Sequence, residues 1–555
     1  MITRRRLLQR GLGFGGLSLL PGCGRIKSFF QPEVSRTAID IHAHIFNGRD
    51  VPLVGFLQQT ILRDPHQPVE SAPVTGAFLK LLKAIMLSGT PRAGQELETL
   101  GTQGFISAPE PEVLKRDERN VAAGLAAFSR DLGQQTAGLR TTRTEEEQVL
   151  DRIAAEVGQP NLRSSLQTPE NQGRTLAAEI FRQGNIGALS QGETRSYVHY
   201  SPFMQTIRWA GLLTRPRVDI LAELGRLYGG PSGIRIFSPS LVDFSAWFLT
   251  EETVTPTEDL ITLFSAIAKS YPDAVILNFA PFCPLKAALE AEDDPNADTL
   301  RHVKRAVLEF GFAGVKLYPP MGFVPSGNDR IDITWAPRKP KAGGAALDAE
   351  LFKLYEWCVA NDVPIKAHAN NSIAAGPDTG AFASPDGWRG VLDQPGLKNL
   401  RLNLAHFGGF DESAPAGALA TGVDWEETLA GMLETYPNLF FDLSYWTDAA
   451  DPESPSRDRV MQRVATLLGR TPKMLDRMMY GSDWSMIGRV PSHPQYLAGV
   501  RQALDDLALD DATRESVMGG NAARYLGLDA DGAQQSRLSQ FFAGHPVFED
   551  IFNSG

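Results

Sequence analysis

Cysteine is scarce in this chain: three in 555 residues, none of them in a CxxC spacing. That excludes a disulfide framework and a cysteine-ligated zinc site. Cys358 falls in a helical pattern and reads as core, while Cys283 follows an apolar run and can line a pocket. A basic block is missing too. The net charge of −11 is spread along the chain, which argues against a nucleic-acid binder and mainly serves solubility. There is no internal repeat, no low-complexity tract and no glycine-rich phosphate turn after the first apolar run, so a dinucleotide-binding fold is disfavoured. The weakly apolar stretch from Gly11 to Leu20 is too short to anchor stably across a bilayer.

That stretch follows Thr3-Arg4-Arg5-Arg6-Leu7-Leu8, which resembles a twin-arginine export signal. Leu20-Pro21-Gly22-Cys23 resembles a lipobox, whose cysteine would be lipidated and become the mature N-terminus; proline inside that box is unusual. Residues 1–30 are therefore expected to direct export, giving a periplasmic protein or a lipoprotein held at the membrane through Cys23. The alternative is a cytosolic protein with a basic N-terminal arm. The twin-arginine route carries folded proteins, which suits an enzyme that acquires a metal before export.

Composition is otherwise that of a soluble globular protein, 43% hydrophobic and 21% charged, and the length allows two or three structural units. Eight short apolar runs stand out, at 38–46, 233–242, 274–280, 314–318, 363–369, 399–406, 439–444 and 478–483. Most precede a segment of helical period, such as 257–270, 298–310, 347–361, 425–436 and 457–469. Strands alternating with helices imply right-handed crossovers and a parallel sheet covered on both faces. Eight such units predict an α/β fold, a (β/α)8 TIM barrel with its active site at the carboxyl ends of the strands. An open doubly wound sheet is the alternative.

The first gap is too long for one crossover. Residues 51–230 read mostly as helix, at 111–132, 144–157, 173–183 and 217–228, with breakers at Gln159-Pro160-Asn161 and Thr168-Pro169-Glu170. They are expected to form a large helical insertion after strand one that caps the site and shapes substrate choice, or else a layer on the barrel's flank. The expected organisation is strand one at 36–50, the insertion at 51–230, the rest of the barrel at 231–528, and a C-terminal tail at 529–555, polar until Phe541, packed along the surface. A second long loop, 319–344, follows strand four on the catalytic face.

Chemistry enters at the strand ends. In Asp40-Ile41-His42-Ala43-His44 the two histidines are two residues apart, so in a strand they share one face. Imidazoles so placed can share one metal ion, and divalent metals such as zinc favour imidazole nitrogen. Taken alone, the pair reads more readily as two surface histidines on an edge strand. Of the nine histidines, however, four fall at the ends of apolar runs: His42 and His44, then His368, then His406, with Asp483 ending the last run. Three imidazoles and a carboxylate on one rim can surround a divalent ion and leave room for a water.

The pieces Asp40 to Phe46 (DIHAHIF), Gly311 to Pro319 (GFAGVKLYP), Lys366 to Ala369 (KAHA), Leu404 to Gly409 (LAHFGG), Tyr480 to Trp484 (YGSDW) and Gly520 to Leu528 (GNAARYLGL) carry a family resemblance. They occur in the family's order. The chain resembles the amidohydrolase superfamily, in its branch of metal-dependent TIM-barrel enzymes that includes aminocarboxymuconate-semialdehyde decarboxylase and related hydrolases. The resemblance covers residues 36–46 and 230–528; the leader and the insertion lie outside it. It implies that His42, His44, His368 and Asp483 hold one divalent metal ion, zinc being favoured. It further implies that His406 hydrogen-bonds the metal's water and shuttles its proton, while Asp483 can both ligate and act as base. Gly520 to Arg524 lies in the final helix region and reads as structural.

Lys316, at the end of strand four, is carboxylated to bridge two metals in some members of the superfamily, but a single metal is commoner in the branch resembled. The favoured role is a cation that neutralises a substrate carboxylate, ahead of a bridging role; a snorkelling side chain at the rim is another simple reading. Arg49, Asn278, Asn370 and Trp446 are further candidates for substrate binding, with Trp484 as a second aromatic wall, although each is more readily structural. The activity expected is hydrolysis of an ester, lactone or amide carbonyl in a small molecule. A non-oxidative decarboxylase or other carbon–carbon lyase is the alternative, and a binding protein that keeps only the fold is disfavoured by the complete ligand set. A homodimer is compatible with the sequence.

Overall fold

The computed structural model of the chain describes residues 36–58, 75–135, 144–159, 168–183, 201–248, 254–331, 343–371, 379–408, 425–528 and 532–553. The leader reading at 1–30, Cys23 included, lies outside the described residues, as do 332–342 of the loop after strand four. Each of the eight apolar runs contains strand: β1 (Ile39–Ala43), β2 (Ile236–Pro239), β3 (Val275–Ile276), β4 (Phe279–Pro281), β5 (Gly314–Leu317), β6 (Ile365–His368), β7 (Leu402–Ala405), β8 (Leu439–Asp442) and β9 (Met478–Met479). The run at 274–280 holds two strands, because Leu277 and Asn278 interrupt it. The Asn278 carboxamide donates to the Phe264 carbonyl at 3.1 Å, tying the break to the helix Thr257–Ser270.

Every strand residue is buried, as expected of a parallel sheet covered on both faces. All pairings are parallel, in the orders β1-β2-β3 and β4-β5-β6-β7-β8-β9. The two sheets also meet. Leu241 N donates to Phe279 O at 3.0 Å, and Ile41 N donates to Tyr480 O at 3.0 Å. Parallel bridges join Ser240 to Phe279 and Ala43 to Trp484. Parallel neighbours in register bring the carboxyl ends of all these strands to one rim.

Between β1 and β2 the described helices are α1 (Thr75–Leu87), α2 (Ala93–Gln103), α3 (Glu110–Gln135), α4 (Glu145–Glu156), α5 (Pro169–Gln183), α6 (Pro202–Leu212) and α7 (Arg217–Tyr228), after a single turn at Leu53–Phe56. Helix α5 starts earlier than expected. Pro169 opens it as its first residue, where the missing N–H has no helical partner to lose. Helix α3 packs against α1 and α5 at backbone distance. A Cβ on Gly124 would lie 2.5 Å from Ile85 Cα, and one on Gly173 would lie 2.4 Å from Ala122 O, so both crossings need glycine.

One buried cation ties this helical segment to the strand that carries the histidine pair. Arg217, fully buried at the start of α7, donates from Nε to Asp50 Oδ2 at 2.8 Å and from Nη1 to Glu96 Oε1 at 2.5 Å. Asp50 lies just beyond β1 and Glu96 lies on α2. Removing the guanidinium strands two buried carboxylates, a loss worth about 3–5 kcal/mol for a broken buried pair. Arg217→Ala is therefore expected to unfold at clearly lower urea than the parent chain. An unchanged urea midpoint would show that the clamp contributes nothing.

Helix α6 leans on the loop after β9. Trp209 Nε1 donates to Ser485 O at 2.9 Å and Gln205 Nε2 to Gly488 O at 3.0 Å. The segment thus touches the rim through α6, while α7 runs into the amino end of β2. The tail packs back onto the strands. Helices Ala533–Phe541 and Pro546–Asn553 bury Phe542, Phe548 and Ile551, and Gln534 and His545 donate to the carbonyls of Ala313 and Tyr271 at the opposite, amino-terminal end of the strands. Among the described residues no helix is long and apolar enough to cross a membrane.

Candidate metal centre

His42 lies in β1 and His44 one residue beyond it; His368 is the last residue of β6, His406 follows β7, and Asp483 lies four residues past β9. All five are buried. The β1–β9 contact is what joins the first and last of them. Ser482 N and Asp483 N donate to His42 O at 3.1 and 2.8 Å, and the Asp40 carboxylate accepts from Ser482 N at 3.0 Å and Ser482 Oγ at 2.6 Å. Asp40, the first residue of the histidine motif, is therefore a staple between strands rather than part of the cluster. Burial pushes its carboxyl up to about 7.

At the centre, His42 Nε2 and His44 Nε2 face each other at 3.3 Å. Asp483 Oδ1 lies 3.5 Å from His44 Nε2 and 3.8 Å from His42 Nε2. His44 Nδ1 sits 2.9 Å from the Ser240 carbonyl, a pure acceptor, so the ring proton is on Nδ1 and Nε2 carries a lone pair. Asp483 Oδ1 is buried with no hydrogen-bond partner. A ring nitrogen lone pair beside a carboxylate oxygen without a hydrogen-bond partner is a pair of donor atoms of the kind a divalent cation takes. These residues therefore fit a metal ion.

His368 and His406 form the other half of the cluster. His406 Nε2 lies 3.0 Å from His368 Nδ1, and the His42 and His406 rings are 4.8 Å apart. The Tyr318 ring covers His368 at 4.3 Å. Burial drives His42, His44 and His368 well below the ordinary imidazole range, and takes His406 to about 4 against the opposing charge of Asp442. The imidazoles are neutral, as ligands must be. Burial likewise pushes the Asp483 carboxyl well above its ordinary range, with Lys316 acting the other way.

Lys316 reaches into the middle of the cluster, not out to the rim. Its Nζ is 3.0 Å from His42 Nε2, and burial pulls it down to about 8 against the Asp442 and Asp483 carboxylates. The remaining candidates are not brought to the histidines in the same way. Arg49 donates from Nε to Thr90 O at 2.7 Å, in the seam with the helical segment. Asn278 faces the helix that precedes it. Asn370 is half-buried two residues past His368, and Trp446 is buried just after β8 with an unpartnered Nε1. Trp484 is buried against Tyr228 and His493. Cys283, buried at the head of the helix Pro284–Asp293, is pushed up to about 12 by that burial.

Two functional residues escaped the sequence reading. Asp442, the last residue of β8, accepts from Asn403 Nδ2 at 2.7 Å and from His406 N at 3.1 Å, and lies 3.2 Å from His42 Nδ1. Burial opposes its ionisation, yet the neighbouring His42 and His406 and its hydrogen bonds with the His42 ring and Ser444 hold it well below the carboxylate range. Its signal was present, a lone carboxylate inside the apolar run 439–444. Ser444, two residues on, gave none. His406, Phe407, Tyr445 and Asp483 all have positive φ, at 68°, 51°, 60° and 59°. The rim backbone is thus turned sharply at His406 and Asp483, whose side chains enter the cluster, at about 1–3 kcal/mol of strain each.

Residues 263–528 match the family model described as amidohydrolase. The match leaves out β1 and β2, so the His42 and His44 pair is joined to the matched region by the fold. No curated protein matches the chain. Among solved structures, it is similar to a protein of Lactobacillus casei described as a metal-dependent hydrolase, at 13% identity over 70% of this chain and 92% of that one, with a TM-score of 0.35. It is similar to one of Pseudomonas putida described as a 2-pyrone-4,6-dicarboxylic acid hydrolase, at 15% identity over 56% and 88%, with a TM-score of 0.31. An amidohydrolase of Burkholderia multivorans with bound zinc matches at 17% identity over 57% and 91%, with a TM-score of 0.35.

Proposed function

We propose, from the premise that the chain belongs to the amidohydrolase superfamily through residues 263–528, that it is a metal-dependent hydrolase. The fold we propose is a (β/α)8 barrel, a reading supported by the bond from Ile41 to Tyr480 and the bridge from Ala43 to Trp484 just past β9. Its reaction is attack of water on an ester, lactone or amide carbonyl of a small molecule. The residues that would hold the ion are His42, His44, His368 and Asp483. One divalent ion there, zinc by the imidazole-rich donor set, would supply a Lewis acid that polarises the carbonyl and acidifies water.

The chain's own groups do the rest. His406, neutral at physiological pH, takes a proton at Nε2 from the attacking water and returns it to the leaving group. The burial of all five residues excludes bulk water, which strengthens every charge interaction within. Lys316 places an ammonium group 3.0 Å from His42, where it can meet a carboxylate of the substrate. The observation that carries the reading is the convergence of two imidazole nitrogens and an unpartnered carboxylate oxygen from β1 and the β9 loop.

The same Lys316 supports a second reading, non-oxidative decarboxylation of a carboxylated substrate. Full-length protein stripped with chelator and reloaded with zinc separates the two. An ester, lactone and amide panel is expected to show hydrolysis that chelation abolishes and zinc restores. Release of carbon dioxide without hydrolysis would establish the lyase, and turnover that chelation leaves untouched would dismiss both. Export through the leader at 1–30, with or without attachment at Cys23, belongs to the same proposal.

A further inference from the structure

Ser444 Oγ stands at the meeting point of three groups. It lies 2.9 Å from His42 Nδ1, 2.9 Å from His406 Nδ1 and 2.5 Å from Asp442 Oδ1. A hydroxyl has one proton to give, and an ionised carboxylate has none. The proton on Ser444 must therefore go to Asp442. That leaves the serine oxygen with lone pairs only, and both imidazoles that touch it must donate. Each ring then carries its proton on Nδ1 and presents a bare Nε2.

Independent contacts agree with this count. His406 Nδ1 also lies 3.2 Å from the Ser444 carbonyl, which can only accept. His42 Nδ1 also faces Asp442 Oδ2 at 3.2 Å. On the far side of the His42 ring, Lys316 Nζ, a donor, is 3.0 Å from Nε2. The bookkeeping extends one ring further: a bare Nε2 on His406 can only accept from His368 Nδ1, 3.0 Å away, which sets the His368 proton on Nδ1 as well.

We propose that Asp442 and Ser444 form a shared tautomer lock, a pair of positioning residues that hold His42 and His406 with Nε2 unprotonated and aimed into the metal centre. One carboxylate thereby serves both a metal ligand and the proton-transfer histidine. It also fixes where the second of these sits, because Asp442 Oδ1 accepts the His406 backbone N–H at 3.1 Å, in the left-handed turn at φ 68°. Asn403 Nδ2, bonded to Oδ2 at 2.7 Å, holds the carboxylate in place from the floor of the barrel. The lock rests on the reading of His42 as a ligand in what it does, but its protonation pattern does not depend on any metal.

The test uses metal-free, full-length protein carrying nitrogen-15 histidine. The parent is expected to show His42 and His406 as Nδ1–H tautomers. Ser444→Ala and Asp442→Asn are expected to mix in the other tautomer and, in competition with a chromophoric chelator, to weaken zinc binding by about 10–100-fold, the usual effect of losing a group that orients a ligand. Melting temperature is read alongside. If Asp442→Asn fails to fold, Ser444→Ala decides alone, since it removes one hydroxyl and leaves the carboxylate partnered. Unchanged tautomers and unchanged zinc affinity in Ser444→Ala would overturn the lock. Zinc binding unaffected by His42→Ala would instead remove the ligand reading, with the tautomer spectra still deciding the lock.

Discussion

His406→Asn is expected to lower turnover by about 10²–10⁴-fold, the usual worth of a positioned proton-transfer group, while zinc content stays at the parent's level. Asparagine is the apt replacement. His406 has φ 68°, a region asparagine tolerates better than most residues, so the turn that follows β7 can persist. The amide has no lone-pair nitrogen to accept a proton, so the proton transfer is lost. Three readouts on this one variant separate three roles. If His406 were a ligand, zinc content would fall with rate. If it served only packing, melting temperature would fall and the folded fraction would turn over normally. Undiminished turnover would remove the proton-transfer role and leave the fold untouched.

His42→Ala is expected to be the more severe change. The parent should bind about one zinc per chain, and the variant should retain almost none after dialysis. The ring stands in contact with His44, Asp442, Ser444 and Lys316 at 3.3, 3.2, 2.9 and 3.0 Å. Its loss removes a ligand and leaves the buried Asp442 short of a partner, so turnover should fall at least as far as in His406→Asn and thermal stability should drop with it. His368→Ala should also lose zinc but spare Asp442, and so cost less stability. Full zinc occupancy in both variants would overturn the assignment of the site. Two zinc ions in the parent would indicate a bridging group at Lys316 and replace the single-ion centre.

The parts of this molecule legible in sequence are those written in short-range period. Each of the eight apolar runs contains strand because a buried parallel strand is apolar on both faces and flanked by breakers, and that signal is local. The rim residues were legible for a related reason: a histidine or aspartate closing such a run is out of place in a core. What stayed hidden depends on register between distant pieces. Asp442 and His42 are 400 residues apart, and only the parallel order β7-β8-β9, carried on to β1, reveals that they meet. Arg49 follows the histidine motif closely, yet the chain turns after Asn47 and its guanidinium meets Thr90 in the helical segment. The helices of the tail were not read from the sequence, because polar residues stand between their apolar ones.

The staple between β1 and β9 has a consequence for how the protein is made. Asp40 and Ser482 are separated by 442 residues, so the histidine pair leaves the ribosome long before the aspartate that completes the cluster exists. At about 5–20 residues per second, the wait is roughly 20–90 s. Throughout it, His42 and His44 belong to a strand with no partner on one side, and a nascent chain cannot assemble the centre however much zinc surrounds it. On the ligand set proposed above, metal loading would wait until Asp483 has been made, and a chain ending between His44 and Asp483 would carry the histidine pair without the carboxylate that faces it.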